Sequence, residues 1–445
     1  MNVVSNIKPD LCVGCGACTV VCPSHHLSMT SEGIGRWGVI ENNGTKCPES
    51  CNLCLRVCPF SDLSDNEDTW GRKLFATGCE NRSRPECGFW LETLCGHIPD
   101  EEARMGSASG GLATWLLARL VADRTVDAVV TVSPRQGNAP YFVYQVCSTP
   151  DEIRRCAGSA YYATHMADAL RQVADDKALR SVAIVGLPCF CKAIRNACVV
   201  HARLRQKVKY VIGLTCGQQK THTFTEYIAA KNNLQSLRAI RFRTKKRGRP
   251  NANYGIKLWQ EENAAHEITF NSYAKEWSFR LFTVPACNFC DDIFAETADA
   301  VFMDAWLPEF GQSDKGESLV IVRTQTLANL LSELPTVQPI KVDRVIESQL
   351  SVISNKRRSI VEHLKLGRRR GLTPPPKRTH LFQAPDLLER PLIRTKFALS
   401  CVSEQLWADS GRSYPAFCHR ISAWRWRLFI GLGLNKINSI LEKTF

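Results

Sequence analysis

Two features that mark exported or membrane-spanning proteins are missing from this sequence. No basic segment followed by a short apolar run opens the chain, so we expect a cytoplasmic protein whose 21 cysteines stay reduced. No run of eighteen apolar residues occurs, so a membrane-spanning helix is not expected. With 44% hydrophobic residues over 445 positions, the chain is long enough to build two or three globular domains.

The sequence also lacks the marks of a nucleic-acid-binding protein, although its net charge is +14. Residues 340–445 contain 20 Lys and Arg but only 8 Asp and Glu, so the rest of the chain is nearly neutral. Zinc-finger spacings of cysteine and histidine and the aromatic motifs of RNA-binding domains are absent. No nucleic acid is therefore expected as a partner, and a zinc-containing nucleic-acid binder is a remote alternative.

Cysteine, in contrast, is abundant, and eight cysteines in the first sixty residues form two closely spaced sets. The first set has the spacing of bacterial two-cluster ferredoxins, in which the fourth cysteine binds the other cluster. By this rule one 4Fe-4S cluster takes Cys12, Cys15, Cys18 and Cys58, and a second takes Cys47, Cys51, Cys54 and Cys22. Cys47 departs from the pattern, because three residues rather than two separate it from Cys51. Zinc knuckles and a disulfide framework are the alternatives, and they suit four thiolates in one short run less well.

Four further cysteines follow apolar segments in the larger part of the chain. Cys189 and Cys216 each come just after a predicted strand that ends in Gly-Leu, and Cys287 and Cys290 form a CxxC pair. In open α/β sheets the loops at the carboxyl ends of neighbouring strands come together, so these four thiols are candidates for a shared site. Spacing alone leaves open a zinc ion, a redox disulfide or a third 4Fe-4S cluster.

A loop of small residues, 106–111, precedes a predicted helix that starts near Leu112. Ser109, Gly110, Gly111 and Thr114 would let a phosphate approach the backbone N–H groups and the positive end of the helix dipole. A Gly-Ser turn that only caps a helix is the alternative interpretation.

The apolar pattern predicts three parts: a ferredoxin-type α+β module at 1–62, an α/β domain at 70–335 and a basic helical or irregular extension at 336–445. Strands are predicted at 128–132, 141–146, 182–185, 208–213, 300–303 and 319–322, and helices at 112–122, 162–173, 191–198 and 223–231. A mobile surface loop is predicted at 245–253.

The extension begins as a helical and basic segment, and low order is predicted where it is interrupted by an arginine run at 368–370 and a proline run at 374–376. It ends in an amphipathic segment, 419–445, rich in tryptophan, leucine and arginine. This segment is suited to an anionic membrane surface, which would place the protein at the inner face of a membrane. The alternative is a terminal helix that packs on the body or on a partner subunit.

Several motifs, taken together in order and spacing, resemble the coenzyme F420 hydrogenase and dehydrogenase beta subunit family, which is related to plant 7-hydroxymethyl chlorophyll a reductase. They are SASGGLAT (107–114), GSAYYATHMADAL (158–170), VGLPCFCKAIRNA (185–197), GLTCG (213–217), CNFCDDIFAETADAVFMDAW (287–306) and GESLVIVRT (316–324). The resemblance covers residues 1–330 and implies an FAD-binding α/β domain beside a 4Fe-4S cluster.

The resemblance also implies roles for individual residues. The expected FAD contacts are Ser109, Gly110, Gly111, Thr114, Ser159 and Tyr161, and the expected ligands of a third 4Fe-4S cluster are Cys189, Cys216, Cys287 and Cys290. Three positions depart from the family's pattern, because Leu187 stands in place of a threonine, Phe190 in place of a glutamine and Met303 in place of a glycine. Asp304 is a candidate proton donor, although an acid at a strand end is more often a structural partner.

The function implied is that of an iron-sulfur flavoprotein oxidoreductase. It would pass electrons between ferredoxin or another redox protein, FAD, and a small-molecule substrate or coenzyme such as coenzyme F420. The alternative is an electron-relay subunit of a larger hydrogenase or dehydrogenase complex.

Overall fold

The structure is a computed structural model of the chain. It describes residues 2–31, 35–80, 82–261, 264–375, 377–378 and 382–444, and for 423 and 437–444 the backbone alone. An N-terminal module, a central domain and a C-terminal group of helices follow one another, and one hydrophobic core includes side chains from all three. The predicted domain boundaries therefore stay predictions.

The N-terminal module folds short helical turns and a hairpin around the first eight cysteines. Its elements are α1 (Val3–Asn6), a 3-10 turn (Pro9–Leu11), α2 (Ala17–Val20), β1 (Leu27–Thr30), β2 (Gly38–Glu41) and α3 (Leu53–Val57). The two strands pair antiparallel, with Leu27 opposite Glu41. Gly14 has a φ of +69°, and a Cβ there would lie 2.6 Å from the Trp37 carbonyl oxygen. Only glycine fits this tight turn between cysteines.

A linking helix and a hairpin lead into an eight-stranded mixed sheet. The linking elements are α4 (Glu67–Phe75), β3 (Ser83–Arg84) and β4 (Gly88–Phe89). The sheet contains β5 (Glu92–Gly96), β6 (Ala128–Pro134), β7 (Phe142–Cys147), β8 (Val182–Gly186), β9 (Val208–Leu214), β13 (Ala300–Asp304), β14 (Ser318–Val322) and β15 (Val337–Pro339). The strand order is β15-β5-β14-β13-β9-β8-β6-β7. The central strands β6, β8, β9 and β13 are parallel, and the outer strands are antiparallel to their neighbours.

Helices cover both faces of this sheet because its strands are apolar on both sides. Val129 contributes to the core on one face, whereas Ala128 and Val130 contribute to the core on the other. The helices of this region are α5 (Glu101–Gly106), α6 (Leu112–Ala122), α7 (Pro150–Arg155), α8 (Ala167–Asp175), α9 (Pro188–Val200), α10 (Ala202–Lys207) and α13 (Gln325–Ser332). The six predicted strands are confirmed to within about two residues. The helix predicted from residue 162 begins only at Ala167, because Tyr162 instead stacks on the His222 ring, with centroids 4.4 Å apart.

A second, smaller sheet stands beside the first. It consists of β10 (Ala239–Thr244), β11 (Gly255–Trp259) and β12 (Ala265–Thr269). The other elements of this part of the chain are α11 (His222–Lys231), α12 (Ala274–Ser278) and 3-10 turns at Asn251–Asn253, Phe270–Ser272, Pro285–Phe289 and Pro308–Phe310. The predicted mobile loop 245–253 is the β10–β11 connection. Both of its ends are anchored, since Lys245 donates three hydrogen bonds and Asn251 is buried.

The C-terminal extension is helical over much of its described length. Its elements are α14 (Val342–Ser348), α15 (Leu350–Ile353), a π turn (Ser354–Arg358), α16 (Ser359–Arg369), α17 (Arg390–Asp409), α18 (Tyr414–Arg420) and α19 (Ser422–Thr444). The helical character predicted for the extension is confirmed, whereas the low order predicted around its arginine and proline runs stays a prediction; of the proline run, Pro376 lies outside the described residues. Positive charges of the extension have partners in the central domain: Arg378, 2% exposed, pairs with Asp291 and Glu296. Within the described helices, none has both the length and the apolar character to cross a membrane.

Candidate functional site

A cavity of about 1420 Å³ lies between the two sheets, at the carboxyl ends of the parallel strands. Residues from the ends of β6, β8, β9 and β13 line one side, and residues of β10 line the opposite side. Ligands collect at such strand ends because neighbouring loops face the same crevice. The volume exceeds the range of roughly 300–1,000 Å³ that is usual for drug-sized ligands, which leaves room for a dinucleotide.

Five of the six predicted flavin residues line this cavity, and they come from two segments of the chain. Ser109, Gly111 and Thr114 line it at the N-terminus of α6, and Ser159 and Tyr161 line it from the segment before α8. Gly111 is the N-cap of α6 with a φ of +86°, a conformation that favours glycine.

Gly110, the sixth of these residues, has a packing role. A Cβ at this position would lie 2.6 Å from the Gly96 carbonyl oxygen and 2.8 Å from the Ser318 nitrogen. A side chain would therefore push the loop away from β5 and β14. The small residues of the loop serve its close approach to the sheet as well as the access of a ligand to the backbone.

Asp304, the candidate proton donor, also lines the cavity, but its carboxylate is held by a buried arginine. Both oxygens accept hydrogen bonds from Arg243, at 2.6 and 2.7 Å. The Arg243 guanidinium stacks 4.4 Å from the Tyr254 ring centroid, and donates to the Ala108 carbonyl of the small-residue loop at 2.9 Å. Burial alone would lower the pKa of Arg243, but the Asp304 carboxylate raises it above its usual value. Asp304 therefore positions Arg243 and, through it, the loop.

Sequence reasoning missed Arg243 and its neighbour Lys245. Lys245 Nζ donates to the carbonyl oxygens of Arg104, Ser109 and Lys315, at 2.7, 2.5 and 2.5 Å. Burial lowers the pKa of Lys245 to about 7, aided by the charges of Arg243 and Arg104. Arg241 and Arg243 alternate with buried Ile240 and Phe242 in the sequence, and this strand pattern was the available signal.

The four internal thiols come close together, and one of them, Cys216, lines the cavity. Cys189 lies in the first turn of α9, Cys216 follows β9, Cys287 lies in the Pro285–Phe289 turn, and Cys290 comes directly after that turn. Burial raises the pKa of Cys189 well above its usual value, and the other three thiols raise it further, which reports their proximity. Among the described residues, no three Cys, His, Asp or Glu side chains form a group that could hold a single metal ion.

The surroundings of these thiols carry positive charge and amide donors. Lys356 Nζ from the C-terminal extension donates to the carbonyl oxygens of Cys216 and Asp292, at 3.1 and 2.7 Å. The backbone N–H of Gln219 donates to Cys287 Sγ at 3.3 Å. Cations and N–H donors of this kind stabilise the negative charge of thiolates and their iron-sulfur clusters. Four thiols with such neighbours fit the donor set of a 4Fe-4S cluster.

The N-terminal cysteines lie in the two groups that the crossed pattern predicts. Burial raises the pKa of Cys58, and the nearby thiols of Cys15 and Cys12 raise it further. Burial likewise raises the pKa of Cys47, and there the nearby thiols are those of Cys51 and Cys22. The first group lies next to the internal thiols, because Cys15 contributes to the raised pKa of Cys189. Each group includes two partly exposed thiols, Cys12 and Cys58 in the first and Cys47 and Cys51 in the second. The ligand roles themselves stay predictions.

Cysteine groups beside a large strand-end cavity are the arrangement of an iron-sulfur oxidoreductase. Family models match the chain in three places: "4Fe-4S dicluster domain" at 11–61, and the N-terminal and C-terminal models of "Coenzyme F420 hydrogenase/dehydrogenase, beta subunit" at 93–171 and 179–347. The chain belongs to the coenzyme F420 hydrogenase/dehydrogenase beta subunit family and carries a 4Fe-4S dicluster domain at its N-terminal side.

Curated relatives are distant. A subunit of the F(420)H(2) dehydrogenase of Methanosarcina mazei is 25% identical over 227 residues, 50% of this chain and 57% of that protein. The coenzyme F420-dependent sulfite reductase of Methanocaldococcus jannaschii is 23% identical over 339 residues, 72% of this chain and 45% of that protein. The beta subunit of the coenzyme F420 hydrogenase of Methanosarcina barkeri is 21% identical over 305 residues, 65% of this chain and 98% of that protein. The chain thus spans about half the length of the first two relatives.

Among solved structures, the fold is similar to a chain of the F420-reducing [NiFe] hydrogenase complex from Methanosarcina barkeri. The TM-score is 0.50 at 18% identity, and the match covers 66% of this chain and 99% of that chain. At this identity the likeness concerns the fold alone.

Proposed function

We propose that this protein is an iron-sulfur flavoenzyme that transfers electrons between its N-terminal clusters and a small-molecule substrate or coenzyme through FAD in the large cavity. One observation carries the proposal: four thiols from distant parts of the chain come together, and one of them, Cys216, lines the same cavity as the small-residue loop and the segment 158–161. FAD would supply the exchange between single electrons and electron pairs. The protein's own residues bind it, orient it and connect it to the clusters.

Residues at the N-terminus of α6 would hold the phosphates of the cofactor. Gly111 and Leu112 present backbone N–H groups there, and Thr114 adds a hydroxyl on the cavity wall. Other polar atoms on the walls are available for the remaining polar groups. The buried atoms Thr215 Oγ1, Gln219 Oε1, Arg243 Nε and Arg280 Nη2 find no hydrogen-bond partner among the described residues. A polar ligand in the cavity would satisfy them, as buried polar groups normally are.

The positions of the cysteine groups suggest the order of electron transfer. The second N-terminal group reaches the surface, where ferredoxin or another redox protein can deliver electrons. The first group lies beside Cys189, and Tyr144 lies close to both Cys15 and Cys189. Electrons would thus pass from the surface cluster to the inner cluster, then to the internal cluster and the cavity. The potentials of the partners set the direction.

Elemental analysis of anaerobically purified protein tests the core of this proposal. We expect iron and acid-labile sulfide for three 4Fe-4S clusters, together with one FAD per chain. A colourless zinc protein without flavin would overturn the proposal. Reduced ferredoxin and reduced coenzyme F420 are then offered separately while flavin absorbance is followed. Bleaching by ferredoxin alone would exclude coenzyme F420 as the working partner, and bleaching by coenzyme F420 would assign it.

A second candidate is an electron-relay subunit of a larger complex, which the subunit names of two relatives favour. The two candidates differ in what the isolated chain does. Turnover of a small-molecule acceptor by the chain alone supports the enzyme. Co-purification of a large partner, with turnover only in the complex, supports the relay subunit.

The C-terminal helix supports a proposal about location, namely contact with an anionic membrane surface. One face of α19 packs on α17, where Leu428 is buried and a Cβ at Gly431 would lie 2.9 Å from Leu392 Cα. The opposite face exposes Trp426 and Phe429 by 69% and 70%, next to exposed arginines. Aromatic side chains bordered by arginines suit the headgroup region of anionic lipid.

Cosedimentation with phosphatidylglycerol vesicles tests this location, with phosphatidylcholine vesicles as the comparison. The double variant Trp426→Ser, Phe429→Ser is expected to lose binding at least tenfold. Leu387→Ser, which alters a 74% exposed leucine elsewhere in the extension, is the matched control and is expected to bind normally. Equal binding by the double variant would rule out α19 as the contact.

A further inference from the structure

Two cysteines outside the twelve predicted cluster ligands face each other at the edge of the cavity. The sulfur atoms of Cys147 and Cys156 are 3.9 Å apart. Cys147 ends the edge strand β7 and is fully buried, whereas Cys156 follows α7, is partly exposed and lines the cavity. A thiol that lines a cavity and touches a second, buried thiol has the geometry of a dithiol pair rather than of two unrelated core residues.

The local sequence brings the two thiols together. Thr149 and Glu152 form a capping box at the start of α7, and the Glu152 carboxylate accepts from the backbone N–H groups of Ser148 and Thr149, at 2.8 and 3.1 Å. The capped helix ends after six residues and returns Cys156 to the end of β7. A disulfide requires a sulfur–sulfur distance of about 2.05 Å, so the thiols must approach by roughly 2 Å. Gly158, with a φ of +131° and open space around its Cα, follows two residues later and can absorb this movement.

The two thiols differ in the way that disulfide exchange needs. The hydrogen bond from Cys147 lowers the pKa of Cys156 to about 7, and Ser133 and the Arg155 charge act in the same direction against the effect of burial. The same hydrogen bond raises the pKa of Cys147, and burial raises it further. Because the thiolate is the nucleophile, Cys156 is the attacking residue and Cys147 the resolving one.

We propose that Cys147 and Cys156 form a reversible disulfide by exchange with low-molecular-weight disulfides that enter through the cavity. The Cys156 thiolate attacks one sulfur of the small disulfide, whose S–S bond breaks and releases one thiolate, leaving a mixed disulfide on Cys156. Cys147 then loses its proton to the released thiolate and attacks Cys156 Sγ, which releases the second half of the small disulfide as a thiolate that takes up a proton from water. The small disulfide is reduced to two thiols, and the cysteine pair is oxidised by two electrons.

Thiol trapping on the intact holoprotein tests this proposal. Anaerobic protein is equilibrated with glutathione buffers of increasing oxidised fraction, quenched in acid, alkylated with N-ethylmaleimide and digested with trypsin. The two cysteines fall on separate tryptic peptides, so a disulfide appears as a linked pair in the mass spectrum. We expect the linked pair with oxidised glutathione and its disappearance with reduced glutathione, while visible absorbance shows that the clusters are intact. Alkylation of both cysteines at every buffer ratio would overturn the proposal.

Single variants test the assigned roles. Cys147→Ser is expected to accumulate glutathione on Cys156, because the resolving thiol is missing. Cys156→Ser is expected to leave Cys147 unmodified, since Cys147 is buried. Cys198→Ser is the matched control, because Cys198 is partly exposed and burial raises its pKa to about 11, and the wild-type linkage is expected to form in it. Glutathione on Cys147 in Cys156→Ser would contradict the assigned roles of attacking and resolving thiol. This variant changes a partly exposed residue, so it is expected to fold even if a change at the buried Cys147 does not.

Discussion

The N-terminal module and the cavity domain use cysteine in opposite ways. In the module, eight thiols lie within 47 residues of sequence, and glycines such as Gly14 permit the tight turns between them. At the cavity, four thiols come from two strand ends and a turn that are separated by a hundred residues. The first arrangement depends on local backbone geometry, whereas the second depends on the packing of the whole sheet and of the C-terminal helices. Changes that separate local from long-range contributions should therefore affect the two regions differently.

The largest expected effect comes from removing one internal thiol. In Cys287→Ser we expect the N-terminal clusters to form normally, while reduction of the flavin by reduced ferredoxin slows by about a thousandfold or more, because one carrier in the series is lost. Stopped-flow spectroscopy measures the rate, and iron analysis should show the loss of one cluster in three.

Cys51→Ser is the matched change in the module. It should remove a surface cluster and leave the internal one, so that a small chemical reductant that reaches the cavity still reduces the flavin at the wild-type rate. Equal loss of this direct reduction in both variants would contradict the division between the two regions.

The next effect concerns the free energy of unfolding, to which the extension contributes through its ion pairs with the cavity domain. Arg378→Met should lower the free energy of unfolding by about 3–5 kcal/mol, because Asp291 and Glu296 lose a buried partner while remaining charged. Chemical denaturation under anaerobic conditions measures it.

Arg370→Met is the control for this change. It breaks a partly exposed pair with Asp10 and should cost less than about 1 kcal/mol. If the two variants lost similar amounts of unfolding free energy, the buried ion pairs of Arg378 would contribute no more to stability than the partly exposed pair of Arg370.

A third effect concerns His222, which contacts both the N-terminal module and the wall of the cavity. Its backbone N–H donates to the Gly35 carbonyl of the module at 2.6 Å, and its Nε2 lies 2.8 Å from the Ala163 carbonyl of the cavity wall. Burial lowers the pKa of His222 to about 4, from an ordinary value of 6.5. Between these values the unfolded chain holds a proton that the folded chain lacks, so this contribution to stability is complete above 6.5 and declines as the pH falls toward 4.

Lowering the pH from 7 to 5 should therefore cost about 2 kcal/mol of unfolding free energy through this residue. His222→Gln should remove that part of the pH dependence, whereas His266→Gln, at an exposed position of β12, should leave it unchanged. Denaturation at the two pH values provides the measurement. If the unfolding free energy changed equally between the two pH values in wild type and in His222→Gln, His222 would not be the source of this pH dependence.

The smallest effect concerns the cavity wall. Asp304→Asn replaces the bidentate carboxylate that positions Arg243, and FAD affinity should fall about tenfold, or about 1.4 kcal/mol. Fluorescence titration of flavin into the flavin-depleted variant measures the affinity. Asp314→Asn, which alters an acid that caps the exposed Gly248 N–H, is expected to bind flavin normally. Unchanged affinity in Asp304→Asn would place the Arg243 pair outside the binding site.

The difference between the two regions also explains how far sequence reasoning reached. Local patterns were enough to predict the two cysteine groups of the module and the strands that lead to Cys189 and Cys216, because short cysteine spacings and apolar runs can be seen within a few residues. The pair of Arg243 and Asp304 was not predicted, because the two residues are 61 positions apart in sequence and lie on strands of different sheets. The pairing of Arg378 with acids of the central domain was not predicted for the same reason, because a local count of charge does not contain that information.

The partners of Arg378 have a consequence for the boundaries of the protein. The family model ends at residue 347, so a fragment cut there would appear complete by sequence comparison. Such a fragment would lose Lys356, Arg357, Lys377 and Arg378 together, while the acids beside the CxxC turn remained in a dry interior. In this chain the extension therefore supplies the counterions of the buried acids beside the internal thiols. A relative without it must carry neutral side chains, or another source of positive charge, at the positions of Asp291 and Glu296.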